Sequence, residues 1–207
     1  VEQPFNLLPN LGIALLVTPL PGREGFGPNF LDALADNDNF GQIDIDEQAE
    51  IVEQLIAWGY TSPDRVGITG CSYGGYFASQ SIASYPELYA AANPQCSLLD
   101  LFDEWETGYK PYLGYLMGRT ADEDPAEYTR DSPVLNAEKV RTPLLIFAGT
   151  FDFLPYTISE QFHDVVAETG TPVDFLVFKG EGHGLSRRSQ YVAVEAQLLW
   201  FRQYLGS

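Results

Sequence analysis

Short apolar runs alternate along this chain with stretches in which apolar positions recur at helical spacing. The apolar runs predict buried β-strands at residues 12–18, 65–70, 144–148 and 173–178, with a short further strand at 89–92. The periodic stretches predict helices at residues 46–58, 76–85, 158–169 and 193–205. Such alternation predicts an α/β fold with a mainly parallel sheet and helices on both faces.

Two segments do not follow this alternation. Residues 19–28 contain three prolines and three glycines and are predicted to be a loop. Residues 100–137 are rich in tryptophan, tyrosine and acidic side chains but have no regular period. No internal repeat or low-complexity linker divides the chain, and its 207 residues fit one domain.

A candidate nucleophile lies between the second predicted strand and the helix that follows it. Residues 70–74 have the sequence G-C-S-Y-G, which matches the G-x-S-x-G motif and puts Ser72 at its centre. The alternative is that these five residues form only a structural glycine-rich turn, but their position between a strand and a helix favours a nucleophile. The motif predicts an α/β-hydrolase in which the Tyr73 backbone N–H faces the developing oxyanion.

A serine nucleophile needs a general base, and the chain has two histidines. His163 falls inside a predicted helix beside Asp164, which is typical of a surface residue. His183 lies in the glycine-rich loop G-E-G-H-G, directly after a predicted buried strand. This is where an α/β-hydrolase presents its base, so we predict that His183 fills that role.

The base must be oriented by a carboxylate, which in this fold comes between the serine and the histidine along the chain. Most acids in that interval lie in residues 100–138, on predicted helices or within a strand. Asp152 follows the strand at 144–148 by a short loop, and we predict that it is the third member of the triad. The alternative is an ordinary exposed loop aspartate.

The composition is that of a globular protein, with 29 acidic against 11 basic residues and a net charge of −18. Such a surface repels phosphate backbones and anionic lipids, so no nucleic-acid or membrane partner is expected. No apolar run approaches the roughly 20 residues of a membrane span, and no signal peptide is visible. The compartment stays open, with a soluble cytoplasmic protein as the default expectation.

Cys71 and Cys96 are too few for a disulfide framework. Neither has a second cysteine or a histidine nearby in the sequence, so no metal site is predicted. We expect both to be small buried residues.

Beyond the triad, the chain resembles the catalytic domain of the prolyl oligopeptidase family, which includes dipeptidyl and acylaminoacyl peptidases. The resemblance covers nearly the whole chain, and G-C-S-Y-G-G-Y at residues 70–76 is its most specific block. Further matching blocks lie at residues 12–27, 63–68, 115–132 and 181–184. The resemblance implies that residues 1–207 are the C-terminal portion of the α/β-hydrolase domain, without the β-propeller and the first strands.

The resemblance also gives the aromatic stretch a function. Trp105, Tyr109 and Tyr112 are similar to the segment that forms the apolar specificity pocket of dipeptidyl peptidases. By this resemblance, Trp105 and Tyr112, together with Tyr73, would hold a small ring such as that of proline. Aromatic residues at this spacing are equally typical of plain core, and both interpretations stay open.

Two departures from the family pattern bear on substrate and partners. The family commonly places arginine or asparagine two residues beyond the triad aspartate, where this chain has Leu154. The family's strand that precedes residues 12–18 and completes the oxyanion hole is missing. We therefore expect a separate N-terminal chain or segment to complete both the sheet and the oxyanion hole.

The leading functional hypothesis is a serine peptidase that uses Ser72, Asp152 and His183. A carboxylesterase with the same triad is the alternative, favoured by Leu154, and a non-catalytic interaction protein of this fold is a third. The expected substrate is a peptide or a small ester. Acyl transfer of this kind needs no metal or organic cofactor.

Overall fold

The computed structural model describes residues 7–35, 40–107 and 110–206. Four strands form its sheet: β1 (Gly67–Cys71), β2 (Ala91–Gln95), β3 (Leu144–Gly149) and β4 (Val173–Phe178). The α-helices are α1 (Pro28–Asp32), α2 (Ile43–Ala57), α3 (Tyr73–Ser84), α4 (Leu101–Thr107), α5 (Lys110–Met117), α6 (Pro125–Arg130), α7 (Tyr156–Glu168) and α8 (Arg187–Leu205). Short 3₁₀ helices lie at Leu8–Leu11, Ala33–Ala35, Pro63–Arg65 and Pro133–Lys139.

The sheet is parallel throughout, with the strands in the order β1-β2-β3-β4. Helix α3 connects β1 to β2 and helix α7 connects β3 to β4, as parallel neighbours require. All four strands therefore end at the same edge of the sheet. The loops after β1, β3 and β4 carry Ser72, Asp152 and His183, so the topology gathers the three at that edge.

Strand β3 is buried on both faces of the sheet. Leu144 and Ile146 pack into a core with helices α2, α3 and α7, whereas Leu145 and Phe147 point to the opposite face and pack with α8. Because successive side chains of a strand point to opposite faces, a strand buried on both sides is apolar at consecutive positions. The predicted α/β architecture with helices on both faces is confirmed.

A third core links the irregular segment to the sheet edge that carries Ser72. Helices α4, α5 and α6 occupy most of residues 101–130, where no regular period was visible. Their buried side chains, which include Leu113, Met117 and Tyr128, cluster with Tyr76 of α3 and with Leu154. This cluster lies beside the Ser72 turn and the loop after β3.

The prediction of a buried strand at residues 12–18 is wrong. The segment is irregular, and Leu15, Leu16 and Val17 are 39%, 52% and 76% exposed. A strand needs a hydrogen-bonded neighbour, and among the described residues no strand pairs with the outer edge of β1. Without that neighbour, the apolar sequence alone does not hold an extended strand in the sheet.

The predicted short strand at residues 89–92 lies further along the chain, at Ala91–Gln95. It runs through Pro94, which has no N–H to donate to a neighbouring strand. In the part of the chain that is described, no helix is both long enough and apolar enough to cross a membrane.

Candidate active site

Ser72 occupies a strained turn between β1 and α3. Its backbone has φ 61° and ψ −121°, a region that L-residues other than glycine rarely adopt. The turn is held by the Ser72 N–H, which donates to the Gln95 carbonyl at 3.0 Å, and by the Ser72 carbonyl, which accepts from Gly75 N–H at 2.9 Å. Strain of this kind persists only where the surroundings fix it, and it is common at catalytic sites.

The glycines of the motif are required by close backbone approach. A Cβ on Gly70 would lie 2.7 Å from the Gly74 Cα, and one on Gly75 would lie 2.5 Å from the Gln95 carbonyl oxygen. Real Cβ atoms do not approach other heavy atoms this closely. The glycines therefore let strand and helix meet at the angle that presents Ser72 at the sheet edge.

Asp152 and His183 form a hydrogen-bonded pair at the same edge. The Nδ1 atom of His183 lies 3.0 Å and 3.1 Å from the two Asp152 carboxylate oxygens. Only 1% of the Asp152 side chain is exposed, against 30% for His183. With Nδ1 bonded to a buried carboxylate, Nε2 is the nitrogen left to accept a proton.

Backbone contacts fix the loop of His183 against the loop of Asp152. The Phe151 N–H donates to the Glu181 carbonyl at 2.8 Å, and the Gly180 N–H donates to Thr150 Oγ1 at 2.9 Å. A Cβ on Gly149 would lie 2.7 Å from the Gly182 carbonyl oxygen, so the two backbones touch. The relative position of acid and base is therefore set by the ends of β3 and β4.

The Glu181 carboxylate ties the His183 loop to helix α8. It accepts hydrogen bonds from the Ser186 N–H at 2.7 Å, from the Ser186 hydroxyl at 2.5 Å and from the Ser189 hydroxyl at 2.6 Å. These bonds, those of the two hydroxyls first, lower the pKa of Glu181. The loop stays anchored at any pH where this carboxylate is ionised.

Cys71 and Cys96 are joined in a disulfide, so the expectation of two separate buried residues is wrong. Cys71 ends β1 and Cys96 follows β2, and their Cα atoms are 5.5 Å apart because the strands are neighbours. A ring nitrogen of His183 lies within 4.8 Å of both sulfur atoms. His183 thus reaches the residue that directly precedes Ser72, a proximity that sequence spacing did not reveal.

The Tyr73 side chain is anchored away from its backbone N–H. Its hydroxyl donates to Asp44 Oδ2 at 2.8 Å, and Arg23 Nη1 donates to the same oxygen at 3.2 Å. Asp44 is fully buried, and burial raises its pKa although the bond from Tyr73 and the charge of Arg23 oppose the rise. The Arg23 guanidinium also lies 5.3 Å from the Tyr73 ring centre. These contacts hold the residue whose N–H, at the start of α3, has no partner within the helix.

The predicted pocket residues fall in different environments. Trp105 is half-buried, packs edge-on against Tyr128 at 6.1 Å and shares a hydrophobic cluster with Tyr73. Tyr112 is 44% exposed and is a minor contributor to the raised pKa of Tyr73, which burial causes first and the Asp44 carboxylate second. Tyr109 lies outside the described residues.

Leu154 contributes its backbone to the site rather than its side chain. Its N–H donates to Asp152 Oδ1 at 3.1 Å, while its side chain is buried in the cluster around Tyr128. The side chain therefore offers no polar group to a substrate. His163 lies on α7, is half-buried and pairs with Asp164 at 2.9 Å.

Glu104 is a buried acidic residue near Asp152 that the sequence did not single out. It lies on α4, is 2% exposed, and has its pKa raised to about 7 by burial and then by the charges of Asp103, Asp100 and Asp152. Its position in an acidic stretch without periodicity gave no signal. Only the fold shows that it is buried within electrostatic reach of Asp152.

A serine on a strained strand-to-helix turn, with an Asp–His pair on later loops of the same parallel sheet, defines the α/β-hydrolase class. The whole chain, residues 1–207, matches the prolyl oligopeptidase family of peptidases. The chain belongs to that family, and the resemblance seen in the sequence is confirmed.

Individual relatives agree with this assignment. The chain is 27% identical to the acylamino-acid-releasing enzyme of Arabidopsis thaliana over 95% of its own length and 27% of that protein. It is 27% identical to dipeptidyl aminopeptidase BIII of Pseudoxanthomonas mexicana, over 91% of the chain and 28% of that protein. Among solved structures, a puromycin hydrolase superposes with a TM-score of 0.82 and 31% identity, over 90% of this chain and 29% of that one. The chain thus spans little more than a quarter of the length of the curated relatives.

Proposed function

We propose that this protein is a serine hydrolase that cleaves peptide bonds through an acyl-enzyme. The observation that carries the proposal is the bond between His183 Nδ1 and the buried Asp152 carboxylate, at 3.0 Å, at the edge where Ser72 is presented. An Asp–His pair beside a serine on a strained turn is the arrangement that activates a hydroxyl for acyl transfer. Membership of a peptidase family supports the peptide bond as the target.

In the proposed mechanism, the Ser72 hydroxyl attacks the scissile carbonyl while its proton passes to His183 Nε2. Asp152 holds the imidazole in the correct tautomer and stabilises the imidazolium that forms. The oxyanion accepts a hydrogen bond from the Tyr73 N–H. His183 then gives the proton to the leaving amine, and water releases the acyl group from Ser72 by the same steps in reverse order.

For the substrate, we propose a small apolar or ring-shaped side chain next to the scissile bond. Trp105 and Tyr112 present aromatic surface near Tyr73, the residue beside the nucleophile. A series of aminoacyl anilides that differ only in this side chain would measure the preference.

Leu154 favours a second candidate function, a carboxylesterase with the same triad. Its buried side chain cannot bind a peptide carbonyl, so the site offers less polar positioning than a peptide would use. Turnover of an aminoacyl anilide and of a short acyl ester separates the two candidates. Turnover of the ester alone would favour the esterase.

We further propose that a strand-forming segment outside the described residues, in the same polypeptide or a second chain, pairs with the outer edge of β1. Two observations support this: no described strand covers that edge, and the apolar side chains of residues 15–17 are exposed rather than buried in the sheet. Such a segment would supply the second oxyanion donor. A native mass spectrum of active protein that shows only the 207-residue chain would contradict this proposal.

The first test is labelling with a fluorophosphonate probe, which reacts with activated serines. We expect wild type to be labelled, Ser72→Ala to be unlabelled, and Ser84→Ala, an exposed position at the end of α3, to match wild type. If wild type that contains the segment covering β1 is not labelled, the chain is a non-catalytic interaction protein of this fold. Labelling that survives in Ser72→Ala would show that a residue other than Ser72 is the nucleophile.

A further inference from the structure

Three potential metal ligands converge beneath the candidate active site. The Sγ atoms of Cys71 and Cys96 and a ring nitrogen of His183 all lie within 4.8 Å of one another. They border a small cavity of about 20 Å³, which is also lined by Gly182 and Leu185. A cavity of this size holds one water molecule or one ion.

We propose that reduction of the Cys71–Cys96 disulfide converts this place into a zinc site with Cys71, Cys96 and His183 as ligands. Zinc binds thiolate sulfur at about 2.3 Å and imidazole nitrogen at about 2.0 Å in a tetrahedron, which puts neighbouring ligand atoms roughly 3.3–3.8 Å apart. The three atoms lie within 4.8 Å of one another, so small side-chain movements suffice. Among the described residues, no fourth cysteine, histidine or acidic side chain joins this cluster, which leaves the fourth position to water.

The backbone keeps the two thiols together once the disulfide is open. Cys71 and Gln95 are register partners on β1 and β2, and the Ser72 N–H bonds the Gln95 carbonyl at 3.0 Å. The Cys96 N–H donates to the Phe147 carbonyl at 2.8 Å, which ties the second cysteine to β3. Both Cα atoms therefore stay in place without the sulfur–sulfur bond.

His183 has one ring nitrogen that its bond to Asp152 leaves available as a zinc ligand. Its Nδ1 is bonded to the Asp152 carboxylate, which leaves Nε2 for the metal. A carboxylate behind a metal-bound histidine fixes the tautomer and raises the basicity of the ligand nitrogen. Zinc would thus have two thiolates and a carboxylate-supported imidazole, a donor set that suits it.

Opening the Cys71–Cys96 disulfide requires a two-electron reductant. A phosphine and one water molecule reduce the disulfide to two thiols and yield the phosphine oxide, while a cellular dithiol would itself become a disulfide. Zinc binding then releases the two thiol protons. Zinc occupies the Nε2 that the proposed hydrolase uses as its base, so this consequence for activity rests on the proposed function.

Zinc retention is the direct test, and it does not depend on catalysis. The purified protein is reduced with a phosphine, which unlike a dithiol does not compete strongly for the metal, incubated with zinc and desalted under argon. Zinc per chain is then measured by mass spectrometry of the metal. We expect about one zinc in the reduced wild type and none in the oxidised wild type, because a closed disulfide has no thiolate to offer.

Variants separate this site from adventitious binding. Cys96→Ser and Cys71→Ser each remove one ligand and should lose the zinc, whereas His163→Ala removes the other histidine and should keep it. Circular dichroism checks that each variant is folded. With cobalt in place of zinc, the reduced wild type should show thiolate-to-cobalt charge-transfer absorption that both serine variants lack.

A reduced and folded wild type that retains no zinc overturns the proposal, as does retention that survives in both serine variants. Fluorophosphonate labelling then tests the consequence, with at least about a tenfold lower rate expected for the zinc-loaded protein and recovery after chelation. Zinc retention without any effect on labelling would leave the site standing and count against His183 as the base. Protein that binds zinc but is unlabelled in every state would count against the proposed function alone.

Discussion

Replacement of Glu104 by glutamine should stabilise the protein at alkaline pH and leave it nearly unchanged in acid. The pKa of this buried carboxyl is raised from 4.5 to about 7 by burial and by the charges of Asp103, Asp100 and Asp152. Between these values the folded state keeps a proton that the unfolded state has released. Wild-type stability therefore falls as the pH rises from 4.5 to 7, and the full penalty is present above pH 7.

The magnitude follows from the pKa difference. At about 1.4 kcal/mol per pH unit, the interval from 4.5 to about 7 corresponds to a ceiling of about 3 kcal/mol. Solvent screening and local relaxation lower the expected gain for Glu104→Gln to about 2 kcal/mol at pH 8 relative to pH 5. Glutamine has nearly the same shape as glutamate, so packing should change little.

The assay is urea unfolding of wild type and variant at pH 5, 6, 7 and 8. The matched control is Glu106→Gln on the same helix, whose side chain is 73% exposed, so that this substitution removes an acidic group without removing a buried one. The reasoning is refuted if the difference between Glu104→Gln and wild type is the same at pH 5 and pH 8.

Two further substitutions test the turn that carries the nucleophile. Gly75→Ala should lower the free energy of unfolding by roughly 1–3 kcal/mol, because its Cβ would lie 2.5 Å from the Gln95 carbonyl oxygen. Gly74→Ala is the control, because its Cβ would meet nothing within 4 Å and thermal unfolding should show no measurable loss. Equal losses in the two variants would show that the close approach is unimportant. Tyr73→Phe removes the 2.8 Å hydrogen bond to the buried Asp44 carboxylate. The free energy of unfolding, measured with urea, should fall by about 1.5–3 kcal/mol. A loss below about 0.5 kcal/mol would mean that Arg23 alone satisfies that carboxylate.

Much of the sheet could be predicted because its strands are buried on both faces. Strand β4 has the predicted bounds, Val173–Phe178, and β3 extends the predicted run by one residue to Gly149. Consecutive apolar residues between turn signals have few other uses in an α/β protein. The G-x-S-x-G motif was informative for a similar reason, because few other turns bring backbone so close that only glycine fits.

Other elements depend on neighbours that local sequence does not reveal. Residues 12–18 are as apolar as a buried strand, but a strand forms only where another strand accepts its hydrogen bonds. The strand that became β2 was predicted to end at residue 92, because Asn93 and Pro94 are residue types typical of turns. In the structure both lie within β2, between the two strands to which β2 is hydrogen-bonded. Tertiary context overrode the local preference in both cases.

The chemistry of the site was predicted in part. Asp152 and His183 were selected by chain order and by the strands they follow, and the fold brings them within hydrogen-bond distance. The Cys71–Cys96 pairing and the burial of Glu104 were missed, because both arise from contacts between different elements. The roles of the three candidate triad residues stay predictions until Ser72 is labelled.

The disulfide has a consequence for the unfolded chain as well as for the folded site. It joins residues separated by 25 positions and closes the β1–α3–β2 unit that carries Ser72 into a covalent loop. By chain-entropy arguments, such a loop removes roughly 3–4 kcal/mol of conformational freedom from the unfolded ensemble. Reduction would give that freedom back, and zinc bound by the folded state alone would offset part of the loss. The disulfide and the proposed zinc site are thus alternative cross-links at one place, each of which keeps the strand of the nucleophile beside its neighbour.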